Sequence, residues 1–245
     1  AFQDDEYLEI AIKNANFLYD NQLRNDHGLN RNFKNGKSNI NGYSEDYAAL
    51  VNCYISLYEV TLNEKWLKTA KNLVEYLFTN FFNEKTKMFF FTSKKDENLI
   101  AKKFEVIDGV IPSSNSIIAN NLFKLGHYYS DAKYLQTSEQ MLNNLKGDVN
   151  TNPANYSNWL NLMANFTKPF YEVVVAGNNA LEVNKNLTNN YFPNILIAGS
   201  NKENNTLPLL LNKFNDAETL IYVCVNGTCK LPQTNLTKAL KNIKK

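Results

Sequence analysis

Asn63-Glu64-Lys65-Trp66-Leu67 begins a stretch that runs through Ala70, Leu73, Val74, Leu77 and Phe78. Its apolar residues recur at the three- and four-residue spacing of one helix face. Asn63 stands where a side-chain oxygen accepts from the free N–H groups of a first helical turn. The same opening, a cap, two polar or small residues, an aromatic and a Leu, occurs twice more. The copies are Asp4-Asp5-Glu6-Tyr7-Leu8 and Asp131-Ala132-Lys133-Tyr134-Leu135, with the aromatics 59 and 68 residues apart. Recurrence at such a period marks a repeat architecture.

A second kind of helix lies between the copies. Tyr47, Leu50, Val51, Tyr54, Leu57 and Tyr58 form one stripe after Ser44, and Ile117, Ile118, Leu122 and Leu125 form another between Ser113 and Tyr129. A third is expected at Asn152-Pro153, with Asn as cap and Pro in the first helical position. Polar arms join the helices: Leu29 to Ile40, with an Asn35-Gly36 turn, and Phe81 to Thr92. Helical hairpins of this kind bury their faces only by stacking on neighbours. The long arms and the polar second helices point to a mainly α fold over residues 1–168, part of a closed ring of hairpins with an inner and an outer layer.

After Lys168 the pattern changes. Tyr171-Glu172-Val173-Val174-Val175-Ala176-Gly177 and Asn194-Ile195-Leu196-Ile197-Ala198-Gly199 are β-branched runs ended by Gly, with a helical stretch between them. This reads as a βαβ unit with a small parallel sheet. Leu220 to Val225 is a third run that meets Asn226-Gly227, a favoured hairpin turn. Thr237 to Lys244 closes the region as a basic, solvated helix. Residues 169–245 therefore form a small α/β unit.

Composition excludes several roles. Of 245 residues, 44% are apolar and 13% aromatic, enough for a core and unlike a disordered chain. Lys plus Arg (26) nearly balances Asp plus Glu (24), so no field gathers nucleic acid or an anionic membrane. No apolar run reaches the ~18 residues of a membrane span. Ala1 to Glu6 carries neither a basic nor an apolar leader pattern. The five Asn-x-Thr triplets, at Asn165, Asn186, Asn204, Asn226 and Asn235, follow from an Asn-rich composition. Cys53, Cys224 and Cys229 are too few for a disulfide framework, so a reducing, cytoplasmic location is expected.

Chemistry gathers at three places. Gly42-Tyr43-Ser44-Glu45-Asp46-Tyr47 puts two carboxylates and two phenols at a helix start. At a ring mouth, Tyr43 and Tyr47 would stack on a sugar and Glu45 or Asp46 would act as acid or base. The alternative is that both carboxylates complement the helix dipole. Asp108-Gly109 through Pro112-Ser113-Ser114-Asn115-Ser116 offers Asp108 as a catalytic acid, with Ser113, Asn115 and Ser116 as hydrogen-bonding groups for a hydroxyl-rich ligand. Here the alternative is an over-capped helix start. Finally, an Asn226-Gly227 turn pairs Cys224 with Cys229 within disulfide reach. The two are either a reversible redox couple or adjacent reduced thiols, and a reducing compartment favours the latter. His27 and His127 stand apart from other ligand types, so no metal or other cofactor is expected.

These stretches, together with Arg31 to Gly36, Leu57-Tyr58-Glu59, Phe89-Phe90-Phe91-Thr92 and Cys229-Lys230-Leu231-Pro232, resemble the YyaL and spermatogenesis-associated family of thioredoxin-domain proteins. The resemblance spans nearly the whole chain, with Ser114 where the family usually has Gly. It implies a parent with a thioredoxin-like domain, then an (α/α)6 toroid of the six-hairpin glycosidase and N-acylglucosamine 2-epimerase type, then a small C-terminal region. This chain would hold the later hairpins and that last region. The implied activity is binding or processing of a carbohydrate-like ligand, as an epimerase or hydrolase. A non-catalytic scaffold, or a thiol-redox partner of the thioredoxin-like domain, is the alternative.

Overall fold

A computed structural model describes residues 4–97 and 101–243, and its helices begin at the caps of the repeat. Helix α1 (Asp5–Asn21) starts where Asp4 accepts from the Glu6 N–H at 2.9 Å. After the first arm come α2 (Ser44–Thr61) and α3 (Glu64–Asn80), and Asn63 accepts from the Lys65 N–H at 3.0 Å. The second arm carries a short ribbon of β1 (Phe82–Asn83) and β2 (Met88–Phe89). Then α4 (Ser114–Tyr129) and α5 (Ala132–Asn144) form the next hairpin, capped by Asp131 onto the Lys133 and Tyr134 N–H groups. Both hairpins turn on one left-handed residue, Leu62 (φ 55°) and Ser130 (φ 50°).

The third inner helix differs from its expected form. A short α6 (Lys146–Thr151) precedes it, and Asn152 ends that helix, donating its backbone N–H to Asp148 O, rather than capping the next. Pro153 instead opens a 3-10 turn that leads into α7 (Ser157–Thr167).

The helices lie in two layers. Helix α2 packs on α4 and α4 on α7, while α3 covers α2 and α5 covers α4. Asn121 on α4 donates to the Ala48 carbonyl of α2 at 2.9 Å, a buried bond between neighbouring inner helices. Tyr54 stacks on Trp66, and Phe78 stacks on Tyr134 across the outer layer.

The C-terminal sheet is built on β3 (Tyr171–Ala176), buried throughout. Helix α8 (Ala180–Thr188) crosses to β4 (Ile195–Ser200), which is parallel to β3; β5 (Leu220–Val225) and β6 (Thr228–Cys229) complete the order β4-β3-β5-β6 antiparallel. Val174, Leu196 and Ala198 join the helical core, whereas Val173, Val175, Ile197 and Val223 form a second core. The last helix, α9 (Leu236–Leu240), is shorter than expected and less solvated. Ala239 and Ile243 are buried in the second core, which anchors it to the sheet. Ala1 to Gln3 and Lys244 lie outside the described residues.

Edge strand β4 is closed by phenols from the inner helices. Tyr128 Oη donates to Ile197 O at 2.7 Å, and Gly199 N–H donates to Tyr58 Oη at 3.2 Å. A Cβ on Gly199 would meet Val175 O of β3 at 2.7 Å and Leu62 Cδ1 at 2.9 Å, so glycine lets β3 and Leu62 pack this closely on β4. No helix among the described residues is long and apolar enough to cross a membrane.

Burial raises the phenols of Tyr47, Tyr54, Tyr58, Tyr128 and Tyr134 above the ordinary 10.0, and pushes Tyr129 up to about 12. Above the ordinary value the unfolded chain releases these protons while the folded chain keeps them. Stability is thus full below pH 10 and falls as pH rises toward the folded values. In an alkaline titration, phenolate absorbance of these tyrosines should appear together with loss of helical circular dichroism. Early, reversible ionisation in the folded state would contradict their burial.

Candidate functional site

The first arm is pinned by Arg24. Its Nη1 donates to Asn30 Oδ1 (2.8 Å) and Asn41 Oδ1 (2.9 Å), its Nη2 donates to Tyr76 Oη (2.9 Å), and its Nε pairs with Asp26 (3.2 Å). A Cβ on Gly28 would sit 1.9 Å from Nη2, so glycine makes room for the guanidinium. The Asn35-Gly36 turn forms as expected, with both residues at positive φ.

At the start of α2, Asp46 Oδ2 accepts from the Tyr43 N–H at 2.8 Å, and Arg31 pairs with Glu45 (3.3 Å) and Asp46 (3.7 Å). The Arg31 guanidinium lies 4.4 Å from the centre of the Tyr43 ring, which also packs on Phe91. Tyr47 points inward. It is 1% exposed, its Oη accepts from the Leu29 N–H at 2.7 Å, and its ring stacks on Tyr76.

At the start of α4, Asp108 is buried and accepts at both oxygens. Oδ1 takes the Ser113 N–H (2.9 Å) and Ser116 Oγ–H (2.7 Å), and Oδ2 takes the Asn158 N–H of α7 (2.9 Å). One carboxylate thus closes two helix starts. Ser113 caps α4 onto the Ser116 N–H. Asn115, wholly buried, accepts from the Phe89 N–H (2.8 Å) and donates to Phe89 O and Glu105 O (both 2.9 Å). Its amide pairs with β2 much as a neighbouring strand would.

The two helix starts meet on the second arm: Ser44 N–H donates to Phe91 O, and Asn115 holds Phe89 two residues before. Of the residues expected at a ligand, Tyr47, Ser113, Asn115 and Ser116 are buried and bonded to protein. Tyr43 is half-buried and lines a cleft of about 560 Å³ with Asn39, Asn41, Thr92, Lys95 and Asp96. Asn41 donates to Asp96 at 2.6 Å, joining the α1–α2 and α3–α4 connections beside it.

At the other end of the inner helices, Cys224 and Cys229 are opposed in register, as expected, and are joined as a disulfide. That corrects the favoured expectation of two reduced thiols. Cys53 is the free cysteine, and burial raises its thiol. The sequence reading missed a buried pair, His127 Nδ1 and Glu172 Oε1 at 2.8 Å. Its one local signal was a carboxylate in an otherwise uncharged strand. No cluster of three or more His, Cys, Asp or Glu suited to a metal occurs among the described residues.

No family model matches the chain. An uncharacterized protein of Caenorhabditis elegans is 30% identical over 160 residues, covering 62% of this chain and 22% of the relative. Spermatogenesis-associated protein 20 of Homo sapiens is 25% identical over 206 residues, covering 79% of this chain and 26% of the relative. The distant similarity to a spermatogenesis-associated protein agrees with the resemblance read from the motifs. The chain spans about a quarter of the length of these curated relatives. Among solved structures, a GH76 alpha-mannanase of Bacteroides thetaiotaomicron is similar with a TM-score of 0.46 at 14% identity, over 60% of this chain and 39% of that one.

Replacing Asn115 with Ala removes three hydrogen bonds, two of them buried, and leaves the Phe89 amide unpaired, at a cost of roughly 2–4 kcal/mol. Urea unfolding of N115A measures this loss. A change within error of zero would mean that the amide does not hold the arm.

Proposed function

We propose that the helices are the later hairpins of an (α/α)6 toroid, and that the cleft at Tyr43 binds a carbohydrate-like, hydroxyl-rich ligand. The observation that carries this reading is the convergence of both arms on one cleft. Asn39, Asn41 and Tyr43 come from the α1–α2 connection that holds the first arm, and Thr92, Lys95 and Asp96 from the α3–α4 connection that holds the second. Planar amides and carboxylates beside an aromatic ring suit a sugar, which offers paired hydroxyls and an apolar C–H face.

The reading is one of binding rather than bond breaking. Asp46 and Asp108 close their own helix starts, and Glu45 is paired with Arg31, so each acid or base candidate is already engaged. Calorimetry with a panel of neutral oligosaccharides tests it. Tyr43→Ala should weaken binding by about tenfold, the loss of ~1.4 kcal/mol of contact. Asp108→Asn turns an amide N–H toward backbone donors, so it should lower the melting temperature while leaving the affinity unchanged. Absence of saturable binding to any sugar, or equal affinity in Tyr43→Ala, would end the proposal.

A second reading is favoured by the disulfide, whose Cys229 is exposed. A thioredoxin-like domain of the parent chain would exchange with it. One partner thiolate attacks Cys229 Sγ and releases Cys224 as thiolate; the partner's second thiolate then displaces Cys229. The hairpin ends reduced and the partner oxidised. A reduced thioredoxin should raise the free-thiol count from one, at Cys53, to three, and in Cys224→Ser the Cys229 thiolate should attack a single-cysteine partner supplied as its glutathione mixed disulfide, displacing glutathione as thiolate and leaving a stable partner–Cys229 disulfide. A count that stays at one contradicts the exchange.

A further inference from the structure

His127 is held in a way that its place at a helix end does not require. It sits in the last turn of α4, 9% exposed, with Nδ1 on Glu172 Oε1. Glu172 Oε2 accepts the Gly227 N–H at 3.2 Å, so both carboxylate oxygens are fixed. A carboxylate in a buried strand is costly unless paired. In a neutral imidazole, a hydrogen bond from Nδ1–H to this carboxylate leaves the Nε2 lone pair as an acceptor. The Glu172 contact engages Nδ1, and His127 lines a cleft of about 480 Å³. The cleft is walled by Phe123, Phe166 and Phe170, with Lys168 and Asn226 beside them. Phe123 meets the imidazole edge-on at 4.6 Å, and Phe170 lies 5.3 Å from it.

We propose that this cleft binds a small aromatic molecule bearing an acidic hydroxyl, of the phenol class, with His127 Nε2 as its proton acceptor. The volume lies within the range of small-molecule sites, and the phenylalanines offer edge-to-face contacts to an aromatic ring. An Nε2 lone pair selects a donor, so a hydroxyl matches it where an already ionised carboxylate would not. On binding, the O–H proton passes to Nε2. The imidazolium stays paired with Glu172, the phenolate oxygen accepts from Nε2–H, and no other bond changes. Lys168 is the cation in the lining of this cleft. This site is separate from the Tyr43 cleft and does not depend on the sugar reading.

The test is a titration of the full chain with 4-nitrophenol at a pH where the free probe is mostly protonated. The expected result is a saturable phenolate absorbance, with the ring-proton resonances of His127 shifting while those of His27 stay. His127→Gln should lower the phenolate yield roughly tenfold, the loss expected for a hydrogen bond to a charged group, and Glu172→Gln should lower it as well. Because the resonance shift is read on the unaltered protein, it decides the matter even if a variant fails to fold. No saturable absorbance, an equal yield in His127→Gln, or a shift confined to His27 would overturn the proposal.

Discussion

Two irregular arms cross the N-terminal ends of the inner helices, and their backbone groups have to be hydrogen-bonded away from water. A buried N–H or C=O without a partner costs as much as a lost hydrogen bond. Side chains from the helices meet this need. Asn115 pairs with Phe89, the Tyr47 hydroxyl accepts from Leu29, and Arg24 gathers the first arm against Tyr76. At the opposite end, Tyr58 and Tyr128 do the same for the outer edge of β4. An open strand edge invites pairing with other chains, and here the helices close it.

This constraint decides how the polar residues divide between structure and ligand. Ser, Asn, Asp and Tyr suit a sugar, but the same groups suit an unpaired backbone. At the first turns of α2 and α4, Asp46, Tyr47 and Asn115 hold the arms. The groups left facing solvent belong to the arms themselves, around Tyr43, and the arms stay in place because the buried residues beneath them are bonded. The His127–Glu172 pair sits at the far end, where α4 meets the sheet. The two ends of the same helices thus present different chemistry: amides and a phenol at one, an imidazole among phenylalanines at the other.

Much of the fold was legible. The caps at Asp4, Asn63 and Asp131, the apolar stripes of the inner helices, the βαβ unit and the Asn226-Gly227 hairpin are local patterns, and they formed where the residues placed them. What was not legible depends on contacts distant in sequence. Asn152 has the right identity for a cap but is taken by α6. The basic stretch after Asn235 looks solvated until Ala239 and Ile243 meet the sheet. Candidate site residues were chosen by type, and type does not say which side a residue faces. Tyr43 and Tyr47 are four apart, yet one lines a cleft and the other is core. Glu172 and His127, 45 residues apart, share no local signature.

The account rests on arms held rigidly by buried side-chain bonds, and amide hydrogen exchange tests this most directly. The Phe89 and Leu29 amides lie in irregular segments yet donate to Asn115 and Tyr47. They should exchange as slowly as amides in the middle of α2 and α4, through global unfolding. Exchange orders of magnitude faster, at the rate of a surface loop, would show that the arms open independently of the helices and that the cleft between them is not a preformed site.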